Sequence, residues 1–321
     1  MLMVVVAGFY GDIHLIDKHR NVLKLGVEVV NAKFEQIKDN NAPFPLKAAF
    51  PVRRMDFEFQ DVPKYWLGGD AGCTHLLTAL SVMFPDGERY FVDSVRAVRD
   101  QVMDDPQLQK DISAFIGQEA MHAKEHHAFN TSAQIHGLHP ESLERFTFNL
   151  LHVATKYVFR DSPKMRLAVT CALEHFTGTI AAQLMRRTDI QEMMQDETMK
   201  HLWLWHSVEE NEHKSVAFDV YEKLYGSGVS AYLSRAIVMV LALIFIVAAK
   251  FGFWATLMYR DGQILNFRSW RKGLSLAWGR HGFFTEIIPD TWDYFRPNFH
   301  PWQHNTHALL DKYRTILGMT A

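Results

Sequence analysis

Two four-residue strings, Glu119-Ala-Met-His122 and Glu210-Asn-Glu-His213, constrain this chain more than any other feature. Each sets a carboxylate and an imidazole three residues apart. On a helix that spacing puts both on one face, within reach of a common ion. Of the seventeen histidines, only these two have a glutamate three residues earlier. Each string also follows a further glutamate about one helical hairpin upstream, Glu88 before the first and Glu174 before the second. A lone Glu-x-x-His is usually solvated helix surface. The doubled pattern, spread over four helices, points instead to a shared centre.

One glutamate from each of two helices plus a Glu-x-x-His from each of two others is how ferritin-like bundles hold two iron or manganese ions. The expected metal ligands are therefore Glu88, Glu119, His122, Glu174, Glu210 and His213. Four carboxylates and two imidazoles are hard and borderline donors that suit iron, with manganese as the alternative; zinc is disfavoured because structural zinc prefers Cys and His. Asp93 is the substitute should Glu88 stand too close to a helix start, after Pro85 and Gly87. Glu119 and Glu210 are expected to be catalytic as well as ligating. His126, four residues beyond His122, and His206, four before Glu210, lie one turn from the ligands. They are expected to serve as catalytic proton donors or extra ligands. A competing string, His122-Ala-Lys-Glu125-His126, matches the inverted zinc-protease motif. It leaves Glu88, Glu174, Glu210 and His213 without a role. Cys171, one turn before Glu174, reads as small core filler.

Composition narrows the remaining classes. At 321 residues and 48% hydrophobic content the chain can bury a large core. A net charge of −2 gives no reason to expect a nucleic-acid partner. The charge is unevenly spread: residues 227–321 hold 10 Lys+Arg against 5 Asp+Glu, while the remainder is acidic. Two cysteines make no disulfide framework and fit a reducing, cytoplasmic compartment. The apolar start, Met1 to Ala7, lacks a basic flank and a cleavage site, so no signal peptide is expected.

Punctuation along the chain predicts an all-α fold. Residues 1–47 have no clear pattern, and residues 52–61 alternate like an extended edge. Beyond Asp70 a short helix, Thr74 to Met83, is expected to stop at Pro85-Asp86-Gly87, with Glu88 to Met103 following. Asp105-Pro106 opens a helix to about Ser132, His139-Pro140 one to Val158, and Ser162-Pro163 one to Arg187. A long helix is expected from Ile190 to Leu224, ended by Gly226. These spans divide the chain into an N-terminal segment (1–47), a ferritin-like dimetal bundle (48–226) and an apolar, basic helical region (227–321). Within the last, residues 237–259 are apolar apart from Lys250 and a threonine. A basic, Trp-containing stretch follows: Arg268, Trp270, Arg271, Lys272, Trp278 and Arg280. The segment is expected to pack on the bundle or to lie on a membrane surface. A charge inside it argues against a full span.

With these residues in view, the chain resembles the bacterial family described as predicted metal-dependent hydrolases. The resemblance rests on FPDGERYF (84–91), GQEAMHAKEHHAFN (117–130), LEHF (173–176), WHSVEENEHKSVAFDVY (205–221) and FRPNFHPW (295–302). The ligand pattern is also similar to that of ferritin-like di-iron oxygenases such as acyl-carrier desaturases. The resemblance implies ligation by the same six residues. The expected activity is O₂-dependent hydroxylation, desaturation or N-oxygenation of an apolar, lipid-like substrate. It would be fed by an electron donor such as a ferredoxin or reductase. Hydrolysis by a metal-activated water is the alternative, and non-enzymatic iron binding the third. The expected setting is the cytoplasm, peripheral on the inner membrane, with a homodimer as the expected assembly.

Overall fold

The computed structural model describes residues 50–319, and the segment 1–47 therefore lies outside the described residues. Those residues are all-α, and the only β-type pairing among them is the isolated bridge between Leu67 and Met194. The helices are α1 (Ala71–Ser81), α2 (Phe84–Arg96), α3 (Pro106–Ser132), α4 (Glu141–Val153), α5 (Pro163–Arg186), α6 (Thr188–Met193), α7 (Glu197–His213), α8 (Val216–Tyr225), α9 (Val229–Arg260), α10 (Phe267–Trp278), α11 (Ile288–Asp293) and α12 (His307–Ile316).

Local chemistry explains the long starts. The Asp105 carboxylate accepts from Leu108 N ahead of Pro106, Ser162 Oγ accepts from Met165 N ahead of Pro163, and Asp196 accepts from Met199 N. Helices α2, α3, α7 and α5 pack as a ring, α2 on α3 and α5, α7 on α3 and α5. Four-helix packing of this kind turns the middle of each helix inward, where it buries side chains on all sides.

Several helix boundaries differ from the sequence reading: α2 ends at Arg96 rather than Met103, and α4 gives way at Val153 to a wider turn through Val158. Pro85-Asp86-Gly87 does not stop a helix: it forms the first turn of α2, with proline in the position where its missing N–H costs nothing. Glu88 therefore sits inside the helix rather than at its start. The long helix expected over 190–224 is instead three pieces. Asp196 caps α7, α7 ends at His213, and α8 begins at Val216.

Residues 51–59 form an arm outside any helix or strand, turned at Asp56 (φ 48°), with alternating exposure that runs through half-buried Arg53, Met55 and Phe57 to buried Phe59. Among the described residues no strand partners them. The Glu125 carboxylate accepts from the backbone N–H groups of Asp56 and Phe57 instead, laying the arm along α3.

The apolar stretch 237–259 lies within α9, which packs one side against α1 and α5. The other side is exposed along Leu233, Ile237, Val240, Ile244, Val247 and Phe251. Lys250 is buried, its Nζ over the ring of Phe284. Helix α10 crosses α1 where Gly72 meets Ser269 and Gly273, too close for a Cβ on either glycine.

Candidate metal centre

Each ring helix brings its acid or its acid–imidazole pair to one buried point. Glu88 comes from α2, Glu119 and His122 from the middle of α3, Glu174 from α5, and Glu210 and His213 from the last turns of α7. All six are at most 1% exposed, an interior where charged groups do not rest without partners. Among the described residues such partners are missing. Both carboxylate oxygens of Glu88, Glu119 and Glu174, Oε2 of Glu210, Nδ1 of His122 and Nε2 of His213 have no hydrogen-bond partner.

All of these residues except Glu174 fall into two adjoining groups, the first of which also takes in His206. Glu88, His122, His206 and Glu210 each offer one atom within 4.8 Å of the others; so do Glu119, Glu210 and His213. Glu210 belongs to both. His213 Nε2 lies 2.8 Å from Glu119 Oε1 and 3.5 Å from Glu174 Oε2. His122 Nδ1 lies 3.9 Å from Glu119 Oε1 and 3.8 Å from Glu210 Oε1.

The outer nitrogens say which way the imidazoles face. His122 Nε2 meets the Glu209 carboxylate at 3.1 Å, and a carboxylate accepts. His213 Nδ1 meets Gln118 Oε1 at 2.8 Å, while the Gln118 amide nitrogen donates to Pro51 O and to Glu212. Each outer nitrogen is therefore the N–H, and each inner nitrogen is left to face the carboxylates. A histidine that donates outward and presents its other nitrogen inward is the usual second support of a metal ligand. Glu209 and Glu212 are held in turn by Arg53, whose guanidinium reaches both, and Glu212 also by Arg314.

Protonation within the cluster follows from burial and crowding. Burial, and then the neighbouring carboxylates, push Glu88, Glu119 and Glu174 well above the usual carboxylate range. Burial acts the same way on Glu210, but the His206 hydrogen bond and the nearby His213 imidazole outweigh it and hold that carboxyl low. His213 is raised to about 8: burial opposes its charge, and Glu210 and Glu174 overcome it. Burial pushes His122 down. Protons here stand where a cation would stand, and a cation would draw the acids back to their charged form. The hard, acid-rich donor set fits a metal-binding site.

The competing inverted protease string does not assemble. Glu125 is turned to the arm, and His126 bonds to His206 and Ser81 rather than facing the carboxylates. Asp93 is exposed and plays no part in the cluster. Cys171 is a buried free thiol. Sequence reasoning missed Arg53, Gln118 and Glu209. Gln118 and Glu209 adjoin ligands in the chain and were open to notice. Arg53 lies 156 residues from Glu209, and no local pattern links them.

The model of the family described as "predicted metal-dependent hydrolase" matches residues 51–305. The chain belongs to this family. No curated protein and no solved structure matches the chain. The family's matched span takes in the arm, all six clustered residues and the C-terminal helices as far as His304, so the description and the cluster concern the same part of the molecule.

Proposed function

We propose that this family member is a two-metal enzyme acting on an apolar substrate. Glu88, Glu119, His122, Glu174, Glu210 and His213 would hold the ions, with Glu210 placed in both donor groups. The observation that carries the reading is the set of buried, partnerless donor atoms in two groups that share Glu210. The family description supports hydrolysis as the reaction. Paired ions of this kind lower the pKa of a water and polarise a carbonyl or phosphoryl oxygen. The chain's own contribution is a dry, rigid cradle. Glu209 and Gln118 fix His122 and His213 in one tautomer, and Arg53 fixes Glu209.

Substrate class is supported by a narrow cleft, with about 20 Å³ of free interior, that reaches Glu210 and His206. Leu76, Phe84, Ile180, Leu184 and Leu276 line it, so an alkyl or acyl chain fits better than a polar molecule. Leu276 belongs to α10, which also carries exposed Arg268, Arg271 and Lys272. The exposed side of α9 adjoins that helix through Phe251 and Trp270. Basic groups beside an apolar face support a peripheral position on an anionic membrane surface on the cytoplasmic side.

A second reading, O₂-dependent oxidation of the same apolar substrate, is favoured by one observation. Four carboxylates and two imidazoles on four helices form the ferritin-like ligand pattern, which suits iron. It needs O₂ and an external electron donor such as a ferredoxin or reductase. Protein loaded anaerobically with Fe(II) or Mn(II) tests both. Cleavage of acyl esters without O₂, lost in Glu210→Ala, supports hydrolysis. O₂ uptake coupled to substrate oxidation, with no anaerobic turnover, supports oxidation. Iron bound with neither activity leaves an iron-binding protein, and failure to bind any ion overturns the reading.

A further inference from the structure

His206 stands on α7 one turn before Glu210. Its Nε2 lies 3.1 Å from Glu210 Oε1 and 3.7 Å from Glu88 Oε1. Its Nδ1 meets His126 Nε2 at 2.7 Å, and His126 Nδ1 meets Ser81 Oγ at 2.8 Å. Ser81 Oγ in turn lies 2.8 Å from Asn130 Oδ1.

The proton positions along this chain follow from its far end. The Asn130 side-chain nitrogen donates to Ser81 O and to Glu144 Oε1, both acceptors, so the other atom of that amide is its oxygen. An oxygen of this kind only accepts, and the single hydroxyl hydrogen of Ser81 goes to it. The Ser81 oxygen then accepts, so His126 carries its hydrogen on Nδ1. His126 is fully buried, ringed by Phe84 and Trp203, with no carboxylate in hydrogen-bond reach, so it stays neutral and its Nε2 is bare. A bare Nε2 accepts, so His206 carries a hydrogen on Nδ1. His206 Nε2 is left as the atom free to take either a proton or a cation, and it faces two buried acids.

The ring of His206 lies flat on that of His122, centroids 4.1 Å apart and planes 11° from parallel. Both belong to the group that includes Glu88 and Glu210. We propose that His206 is a third imidazole ligand, binding the ion on the Glu88 side through Nε2, with its tautomer set by the His126–Ser81–Asn130 chain. The inference rests on the two-metal reading above and deepens it. The two ions become unlike: the Glu88-side ion has two imidazoles, the Glu174-side ion only His213. Of the clustered residues, the apolar cleft is lined by His206 and Glu210 alone. His206 is thus the one imidazole of the cluster that borders the cleft.

X-ray absorption of wild-type protein loaded anaerobically with Co(II), combined with metal counting and affinity titration, tests this. Expected are two ions per chain carrying three imidazoles between them. In His206→Ala, one ion should bind as before and the other about 10–100-fold more weakly, and one imidazole should vanish from the absorption spectrum. Ser81→Ala should retain all three imidazoles with a smaller loss at the same ion. Two ions with only two imidazoles in the wild type, or unchanged affinities in folded His206→Ala, would overturn the assignment while leaving the two-metal reading intact. A wild type that binds no Co(II) removes both. Should His206→Ala fail to fold, the wild-type imidazole count alone decides.

Discussion

Glu210 and Glu88 differ in what their loss should do, although both are buried acids of the same cluster. Glu210 belongs to both donor groups and Glu88 to one. Glu88→Ala is expected to reduce bound metal from two ions per chain to about one, and Glu210→Ala to below one, with helix content unchanged in both. Metal analysis with circular dichroism checks this; equal loss in the two variants would contradict the shared role. Protonation adds a second expectation. His213 is raised to about 8, so below that pH its inner nitrogen carries a proton that an ion must displace. Metal binding should therefore release protons, with apparent affinity falling by at least about tenfold per pH unit below 8, since Glu88, Glu119 and Glu174 are also pushed well above the usual carboxylate range. Calorimetric titration in buffers of different ionisation enthalpy reads the released protons directly; no release at pH 7 would refute it. At this scale the spacing of Glu and His was legible because the helix repeat projects positions three apart onto one face. Glu209 was not, because which nitrogen of His122 faces outward depends on how α3 and α7 are rotated against each other.

Among the elements, α9 shows what hydropathy alone cannot separate. Its sequence reads as nearly uniform apolar length, yet the helix is two-sided: Val238, Met239, Ile246 and Trp254 are buried, while Ile237, Val240, Ile244 and Val247 are exposed. An apolar run does not say which side meets protein and which meets something else. Introducing Ile244→Glu with Val247→Glu should abolish flotation with anionic liposomes and leave metal content unchanged. Soluble wild-type protein that sediments as a dimer, and a monomeric variant, would assign that face to a second copy instead. Lys250 gives a stability test on the same helix. Burial holds its amine well below the usual lysine range, and Nζ has no hydrogen-bond partner. The unfolded chain binds a proton that the folded chain refuses, so this residue weakens the fold below about pH 10.5 and less so as pH rises toward that value. Lys250→Met is expected to stabilise by about 1–3 kcal/mol at pH 7. A lower melting temperature in the variant would show that the amine has a partner in solution. The break of the expected 190–224 helix was partly legible, since Asp196 is a good cap. The end of α7 at His213 was not, because Lys214 turns to bond His304 and Thr306, about 90 residues away.

For the whole molecule, metal and fold are coupled through the same buried acids. Burial, and then crowding, pushes three of the four well above the usual carboxylate range, and ions would offset both. Metal at about 100 times its dissociation constant should stabilise the protein by about 2.7 kcal/mol, and a chelator should reverse the gain without loss of helix. Thermal unfolding with and without chelator measures it; identical melting curves would mean that the ions and the fold are independent. The all-α class and most helix starts were legible from caps and prolines, since those are local. The arm was read as a sheet edge because alternation looks the same whether a strand or a helix lies beneath it. The shared place of Glu210 has one more consequence, in time rather than in space. Neither donor group is complete until α7 has been made, and Arg53, which steadies its acids, waits from the opposite end of the chain. At about 5–20 residues per second, the ribosome releases α3 several seconds before α7. A nascent chain that has formed only α2 and α3 presents acids and no cage. Ion capture is then the closing step of assembly, and a truncated product ending before α7 cannot sequester metal from the cell.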